Sequence, residues 1–403
     1  MIHPSTIQFS GELANHRYGL WEALLANGYS PLSALNVLRL AAHLSRWLQE
    51  QEQPLDALTH ECIQTFFDAR RGAGYTRFLT PRSLEVIVRH LEAVGAICLP
   101  LPVPALMSPV GQLVQEYRDY LHRERGLCAS SVRAYGDIAD RFARSCVGEE
   151  PDAIAQLRAK DLISFMLSAS SRYGVGTTKY IVTVLRSFVR YLYVCGYVGL
   201  DLTGALPAVA GWRLSSLPKA LNAVQVRQLL RACDRRRHIG RRDYAVVLLM
   251  VRMGLRRGEV ARLELDDVDW RAGEFIIHGK GPRDERLPLP ADIGEALVVY
   301  LRRSRPSAST RRLFLNVRAP HTPLTSGAVG AIVCRALKRA GLPGNNSHRL
   351  RHTAATQMLR AGGSLDEIAQ VLRHRSHDTT AIYAKVDHSA LREAIRPWPG
   401  AAS

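Results

Sequence analysis

The feature that most restricts the fold is a spacing of three and four between apolar residues that returns later in the chain. Leu58, Ile63 and Phe66 recur 99 residues on as Leu157, Leu162 and Phe165, and Leu84, Val88, Leu91 and Gly95 recur 101 residues on as Leu185, Val189, Leu192 and Gly196. Apolar residues at that interval line one face of an α-helix rather than of a strand. The first two segments therefore read as copies of one helical unit, the two-residue difference falling in a loop around Gly72–Gly74 and Tyr173–Gly176. Two unrelated helical bundles would share such spacings as well, which is the competing reading. Pro-rich or irregular stretches at 100–109 and 207–218 interrupt the pattern, so domains are expected over residues 1–105, 106–210 and 218–403.

The third segment changes character. A helical pattern from Asn222 precedes a strongly apolar helix expected from Asp243 to Met253. Glu274–His278 is β-rich, residues 279–285 are turn-forming and Arg286–Pro290 is extended again, which together predict a β-hairpin. Helical spacing returns from Ser326, and Ser364-Leu-Asp-Glu367 is a capping box, with Leu365, Ile368 and Leu372 on the apolar face that follows. Gly362-Gly363 closes the preceding helix. The expected fold class is mainly α with a small antiparallel β-sheet.

Charge narrows the partner. The chain of 403 residues carries 54 Lys or Arg against 36 Asp or Glu, a net of +18, while 47% apolar residues are enough for packed cores and exclude wholesale disorder. Residues 1–106 hold eight Arg, no Lys and nine acidic residues, so the excess lies wholly beyond them, and twelve Arg or Lys fall between Arg118 and Arg190. Such an excess on a compact chain points to a polyanion, either nucleic acid or an anionic membrane surface. The longest uncharged apolar run, Tyr244 to Val251, is far short of the about 20 residues that span a bilayer. Without the basic start and apolar stretch of a secretory signal, a cytoplasmic location is expected. Seven cysteines with no C-x-x-C pair argue against a disulfide framework or a zinc knuckle and read as reduced packing residues. Residues 1–105, near neutral, are expected to contact protein more than DNA. Arg70, Arg71, Arg77, Arg82 and Arg89 gathered into one basic patch would be the competing arrangement.

Chemistry concentrates in the third segment. Arg256 follows the apolar helix, Lys280 sits at the hairpin tip, and His348 and Arg351 share a helix face. His374 ends the capped helix and Tyr383 follows nine residues on. Singly, each has an ordinary role in packing or solvation. Together, two guanidinium groups suit the non-bridging oxygens of a phosphodiester and the charge that develops in its transition state. A tyrosine hydroxyl becomes a competent nucleophile when cations lower its pKa or a base takes its proton, and a lysine on a hairpin can protonate the leaving oxygen. No cofactor and no metal are required.

In order and spacing these six residues resemble the tyrosine recombinase (phage integrase) family, whose catalytic set is Arg, Lys, His-x-x-Arg, His or Trp, and Tyr. The match is to Arg256 in Gly254-Leu-Arg-Arg-Gly-Glu259, Lys280 in Gly-Lys-Gly, His348 and Arg351 in His-Arg-Leu-Arg-His352, His374 in Leu372-Arg-His374, and Tyr383 in Thr379-Thr-Ala-Ile-Tyr383, with the resemblance covering roughly residues 108–390. Arg373 stands where the family commonly has Gly, and Gly258 where a small polar residue is common; the first bears on backbone conformation, and neither is expected to touch a catalytic side chain. The resemblance implies a clamp of helical and catalytic domains around duplex DNA, a 3′-phosphotyrosine on Tyr383, rejoining without ATP or metal, and four protomers on paired sites. It also implies that the tail from Lys385 to Pro399 docks on a neighbouring protomer, unless it packs on its own domain. A type IB topoisomerase uses nearly the same residues as a monomer, and a non-catalytic DNA-binding protein would have no need of Tyr383 or Lys280.

Overall fold

The computed structural model describes residues 3–99, 108–147, 151–210, 220–278, 284–344, 347–373 and 380. Backbone packing separates the chain into two units, residues 100–215 and residues 1–99 with 216–403. Large hydrophobic clusters lie within residues 7–97, within residues 110–206 and within residues 221–350.

The first of these segments is helical: α1 (Arg17–Ala26), α2 (Pro31–Glu50), α3 (His60–Gly72) and α4 (Glu85–Ala93). Local chemistry marks the helix starts. Ser30 accepts the Ser33 N–H ahead of Pro31 to open α2, and Thr59 accepts the Cys62 N–H to open α3. The second segment has the same order of four helices, α5 (Pro109–Arg123), α6 (Ala129–Val147), α7 (Ala159–Arg172) and α8 (Val175–Val194). Here Phe188 packs edge-on against Tyr117 with ring centres 4.9 Å apart and against Phe142 at 6.4 Å. Recurring residues occupy like positions. Ile63 and Leu162 are buried, as are Leu91 and Leu192. Gly95 (φ 70°) and Gly196 (φ 77°) both stand two residues past a helix end, followed by N–H groups of Ala96 and Tyr197 that return 2.8 Å to the carbonyls of Leu91 and Leu192.

The third segment runs α9 (Ala223–Arg231), α10 (His238–Met253), α11 (Arg257–Arg262), β1 (Val268–Asp269), β2 (Glu274–His278), β3 (Asp284–Pro288), α12 (Ala291–Arg303), α13 (Ser326–Arg339), α14 (His348–Arg360) and α15 (Leu365–Leu372). The chain is thus mainly α with a small antiparallel sheet, ordered β1-β2-β3, in which Glu274 pairs with Pro288 and His278 with Asp284. The buried α10 is the centre of this segment, with α12, α13 and α14 packed around it. As its sequence indicates, Ser364 and Glu367 form a reciprocal capping box on α15, and Ile368 and Leu372 are buried beneath it.

Four details depart from the sequence reading. The apolar helix begins at His238, five residues before Asp243, and its polar first turn lies close against the preceding turn, where a Cβ on Gly240 would lie 1.8 Å from the Asp234 carbonyl oxygen. The second hairpin strand is Asp284–Pro288 rather than Arg286–Pro290, since ladder pairing extends through its charged start and Pro290 instead becomes the N-cap of α12. Helix α12 itself was not anticipated, although Ile293, Ala296, Leu297 and Tyr300 carry the same three-and-four spacing and form the face it buries. Of the seven cysteines only Cys233 is buried, and Cys98, Cys128 and Cys195 are exposed, so they are not all packing residues. No helix among the described residues is long and apolar enough to cross a membrane.

The Gly240 contact is with backbone, which cannot swing aside. Gly240→Ala should therefore destabilise the third segment by roughly 1–3 kcal/mol, read as a lowered denaturant midpoint at unchanged slope.

Candidate active site

Three helices meet at the end of α10. Gly254 leaves that helix in a left-handed conformation (φ 62°), and a Cβ there would lie 2.4 Å from Leu372 at the end of α15 and 3.3 Å from Ala354 on α14. Only glycine permits both the turn and the approach. Leu255, fully buried, then anchors the chain so that Arg256 stands at the N-cap of α11.

Arg256 and Arg351 converge on this junction from different elements. Arg351, 5% exposed on the first turn of α14, donates from Nη1 to the Gly254 carbonyl at 2.7 Å and from Nη2 to the Leu372 carbonyl. Arg256 donates from Nη2 to the carbonyl of the next residue, Arg373, at 3.0 Å and from Nη1 to Glu259 Oε1 at 2.7 Å. Successive carbonyls just before His374 thus receive one guanidinium each. His348 opens α14 one turn before Arg351. Its pKa is held below the ordinary histidine value, first by burial of part of the ring and then by the charges of Arg351, Arg257 and Arg256. An imidazole so placed is neutral near pH 7 and can take a proton. His352, one turn further on, is depressed in the same way by burial, His348 and Arg351.

The structure brings together Arg256, His348 and Arg351; Lys280, His374, Tyr383 and the tail from Lys385 to Pro399 lie outside the described residues. The base of the hairpin that carries Lys280 is described. His278 Nδ1 lies 2.7 Å from Asp284 Oδ1 and Nε2 2.8 Å from Asp267 Oδ1, the protonated ring donating to both carboxylates, and its carbonyl accepts from Arg262 Nη2 at 3.1 Å. Arg262 closes the short helix that Arg256 opens, so one element braces both the arginine and the hairpin. The sequence reading missed His278 and Asp267, which are eleven positions apart and meet only through the β1–β2 pairing. It also missed Glu259, although its place three residues after an N-cap is a legible signal. The expectation that Arg373 touches no catalytic side chain is corrected: its carbonyl binds Arg256, and its guanidinium shares Glu259 with it at 2.7 Å.

Known proteins give this geometry its context. Residues 219–390 match the model of the phage integrase family. A Sinorhizobium fredii protein bearing an integrase/recombinase name, y4rA, is 40% identical over 384 residues, 94% of this chain and 93% of that one. The chain belongs to the phage integrase family. It is a tyrosine-type site-specific recombinase, and the tyrosine recombinase XerC of Oceanobacillus iheyensis is 29% identical over 72% of this chain and 96% of its own. The fold agrees with that of the recombinase XerH solved on a palindromic difH substrate in a post-cleavage complex, at a TM-score of 0.56 and 19% identity over 85% of this chain and 98% of the other. It agrees likewise with the lambda integrase tetramer solved on a Holliday junction, at a TM-score of 0.55 and 16% identity over 81% and 90%.

The His278 bridge gives this recombinase a testable pH response. Its pKa is raised, first by the hydrogen bond to Asp284 and then by that to Asp267. A raised pKa means that the bridge's stabilisation is complete below the ordinary histidine value and is lost as pH rises through the higher one. Hydrogen-exchange protection of β2 and β3 amides should therefore fall with rising pH across that interval, and His278→Ala should remove the dependence.

Proposed function

We propose that this recombinase cuts and rejoins duplex DNA through a 3′-phosphotyrosine on Tyr383, with no metal and no ATP. The observation that carries the reading is the pair of guanidinium groups, Arg256 and Arg351, which donate to the successive backbone carbonyls of Arg373 and Leu372, while the one carboxylate at Arg256, Glu259, is shared with Arg373. Arg256 and Arg351 would bind the non-bridging oxygens of the scissile phosphate and offset the charge of a pentacoordinate transition state. His348 would take the proton of the Tyr383 hydroxyl, His374 would add a hydrogen bond to the phosphate, and Lys280 would protonate the departing 5′-oxygen. Because the phosphodiester energy is kept in the protein linkage, attack by a second 5′-hydroxyl reseals the strand without a nucleotide cofactor.

The remainder of the chain fits double-stranded DNA as the partner. Residues 106–210 would form the second jaw of a clamp, since Arg123, Arg125, Arg133, Arg172 and Arg190 are all exposed there. Residues 218–403 would form the catalytic jaw, and protomers would pair two sites as a tetramer that passes through a Holliday junction, in the bacterial cytoplasm. Residues 1–105 would serve protein contacts. In support of that, the basic set at 70–89 is largely engaged within its own domain. Arg70 is 7% exposed, with its guanidinium 4.1 Å from the centre of the Tyr75 ring. Arg71 pairs with Asp68, and Arg89 pairs with Glu85.

Two outcomes check this reading. Tyr383→Phe should abolish the denaturant-resistant protein–DNA adduct on a nicked suicide duplex while leaving duplex binding intact; an adduct formed by the Phe variant would show another nucleophile. In salt titrations of binding, changing Arg123, Arg125 and Arg133 together to Gln should reduce the slope by about three units, about one per lost phosphate contact. The same change at Arg77, Arg82 and Arg89 should move it by less than about one unit, and a larger drop would place DNA on the N-terminal domain.

A further inference from the structure

We propose that Arg373 is a positioning residue for strand cleavage, which holds the buried carboxylate of Glu259 and thereby sets the orientation of the Arg256 guanidinium. The inference rests on the reading that Arg256 grips the scissile phosphate. Arg373 terminates α15 in a left-handed conformation (φ 56°, ψ 50°) that side-chain-bearing residues rarely adopt. Its side chain is 5% exposed, and Nε is buried with no partner among the described residues. Strained backbone and a buried charge are each unfavourable locally, so the side chain is held there by what it binds.

What it binds is the carboxylate on which Arg256 depends. Arg373 Nη2 lies 2.7 Å from Glu259 Oε2, and Nη1 donates to the Val371 carbonyl at 2.9 Å. Glu259, 3% exposed, uses Oε2 also to accept the Arg256 backbone N–H at 2.8 Å, and Oε1 to accept Arg256 Nη1 at 2.7 Å. The two oxygens are therefore divided between two guanidinium groups. An arginine beside an unshared carboxylate frequently closes onto both oxygens as a parallel fork. With Oε2 occupied, Arg256 meets the carboxylate through Nη1 alone and places Nη2 on the Arg373 carbonyl. Its side chain stays 40% exposed, and two of its five N–H donors are engaged by described residues. Burial pushes the Glu259 carboxyl up, but Arg373, the Arg256 hydrogen bonds and the Arg256 charge together outweigh it and keep the group ionised. In this chain, where Arg373 stands in place of the family's common Gly, loss of its side chain would free Oε2 and let Glu259 draw Arg256 inward, away from the phosphate.

The test uses the full chain and a nicked duplex selected by that chain from a random pool. Duplex affinity and single-turnover cleavage at saturating protein are measured separately. Arg373→Gly suits the left-handed backbone and removes only the side chain. It should slow cleavage by about a hundredfold, the scale of a misplaced catalytic group, with affinity within about twofold of wild type. Adding Glu259→Gln removes the carboxylate's pull, and the double variant should recover at least about tenfold of the lost rate. A structural role would instead make the double variant as slow as the single or slower, and that result would overturn the proposal, as would Arg373→Gly cleaving at the wild-type rate. Should Arg373→Gly fail to fold, Arg373→Asn tolerates the left-handed backbone and removes the charge that holds Oε2, and cleavage at the wild-type rate by that variant overturns the proposal while slowed cleavage with retained binding supports it. Arg256→Ala cleaving normally would overturn both this proposal and the reading beneath it. Arg256→Ala inactive beside a fully active Arg373→Gly would overturn the role of Arg373 alone.

Discussion

The candidate site of the third segment depends on how a cluster of buried or half-buried guanidinium groups is held in place. Arg256, Arg351 and Arg373 crowd the junction of α10, α14 and α15, and Glu259 is the one carboxylate bonded to them among the described residues. Buried cations are normally neutralised by paired anions. Here much of that work falls to carbonyl oxygens of Gly254, Val371, Leu372 and Arg373. A carbonyl orients a guanidinium without cancelling its charge. Among the described residues three guanidinium groups meet one carboxylate there, a positive field of the kind a site for an anion needs.

That field depends on apolar packing some distance away. The carbonyls are in range because α10 ends at a glycine against which Leu372 and Ala354 close. Leu372 is held there by α15, whose capping box and buried Ile368 fix its start and its face. The same short helix that Arg256 opens supplies Arg262 to the hairpin base, where His278 bridges two carboxylates. Positions far apart in sequence are thus rigidly related through a few close contacts between backbones.

The two helical segments make a different point. They share an order of four helices and matching glycine-terminated ends, yet differ in surface charge. Helix order follows from the buried apolar positions, and charge resides on exposed ones, so the two can change separately. The basic residues of the first segment illustrate it. Arg70 is folded inward over aromatic rings, and two others are paired with acids on their own helices.

Much was legible in the sequence because it is written in local periodicity. Three-and-four spacing marked the helices, Ser364 and Glu367 marked the start of α15, and the Arg256, His348 and Arg351 strings marked the functional segment. Apart from α12, whose spacing was legible, what escaped were features whose cause is a distant partner. Strand β3 reaches back to Asp284 because β2, across the hairpin, supplies its ladder. Arg373 read as an irregular substitution at a helix end, since nothing in Leu372-Arg-His374 indicates that its guanidinium reaches Glu259, 114 positions earlier. Periodicity reports which face of an element is buried, and that much the chain determined by itself. Which charges meet there is decided only when helices pack, because electrostatic partners are chosen by distance in space and not by separation along the chain.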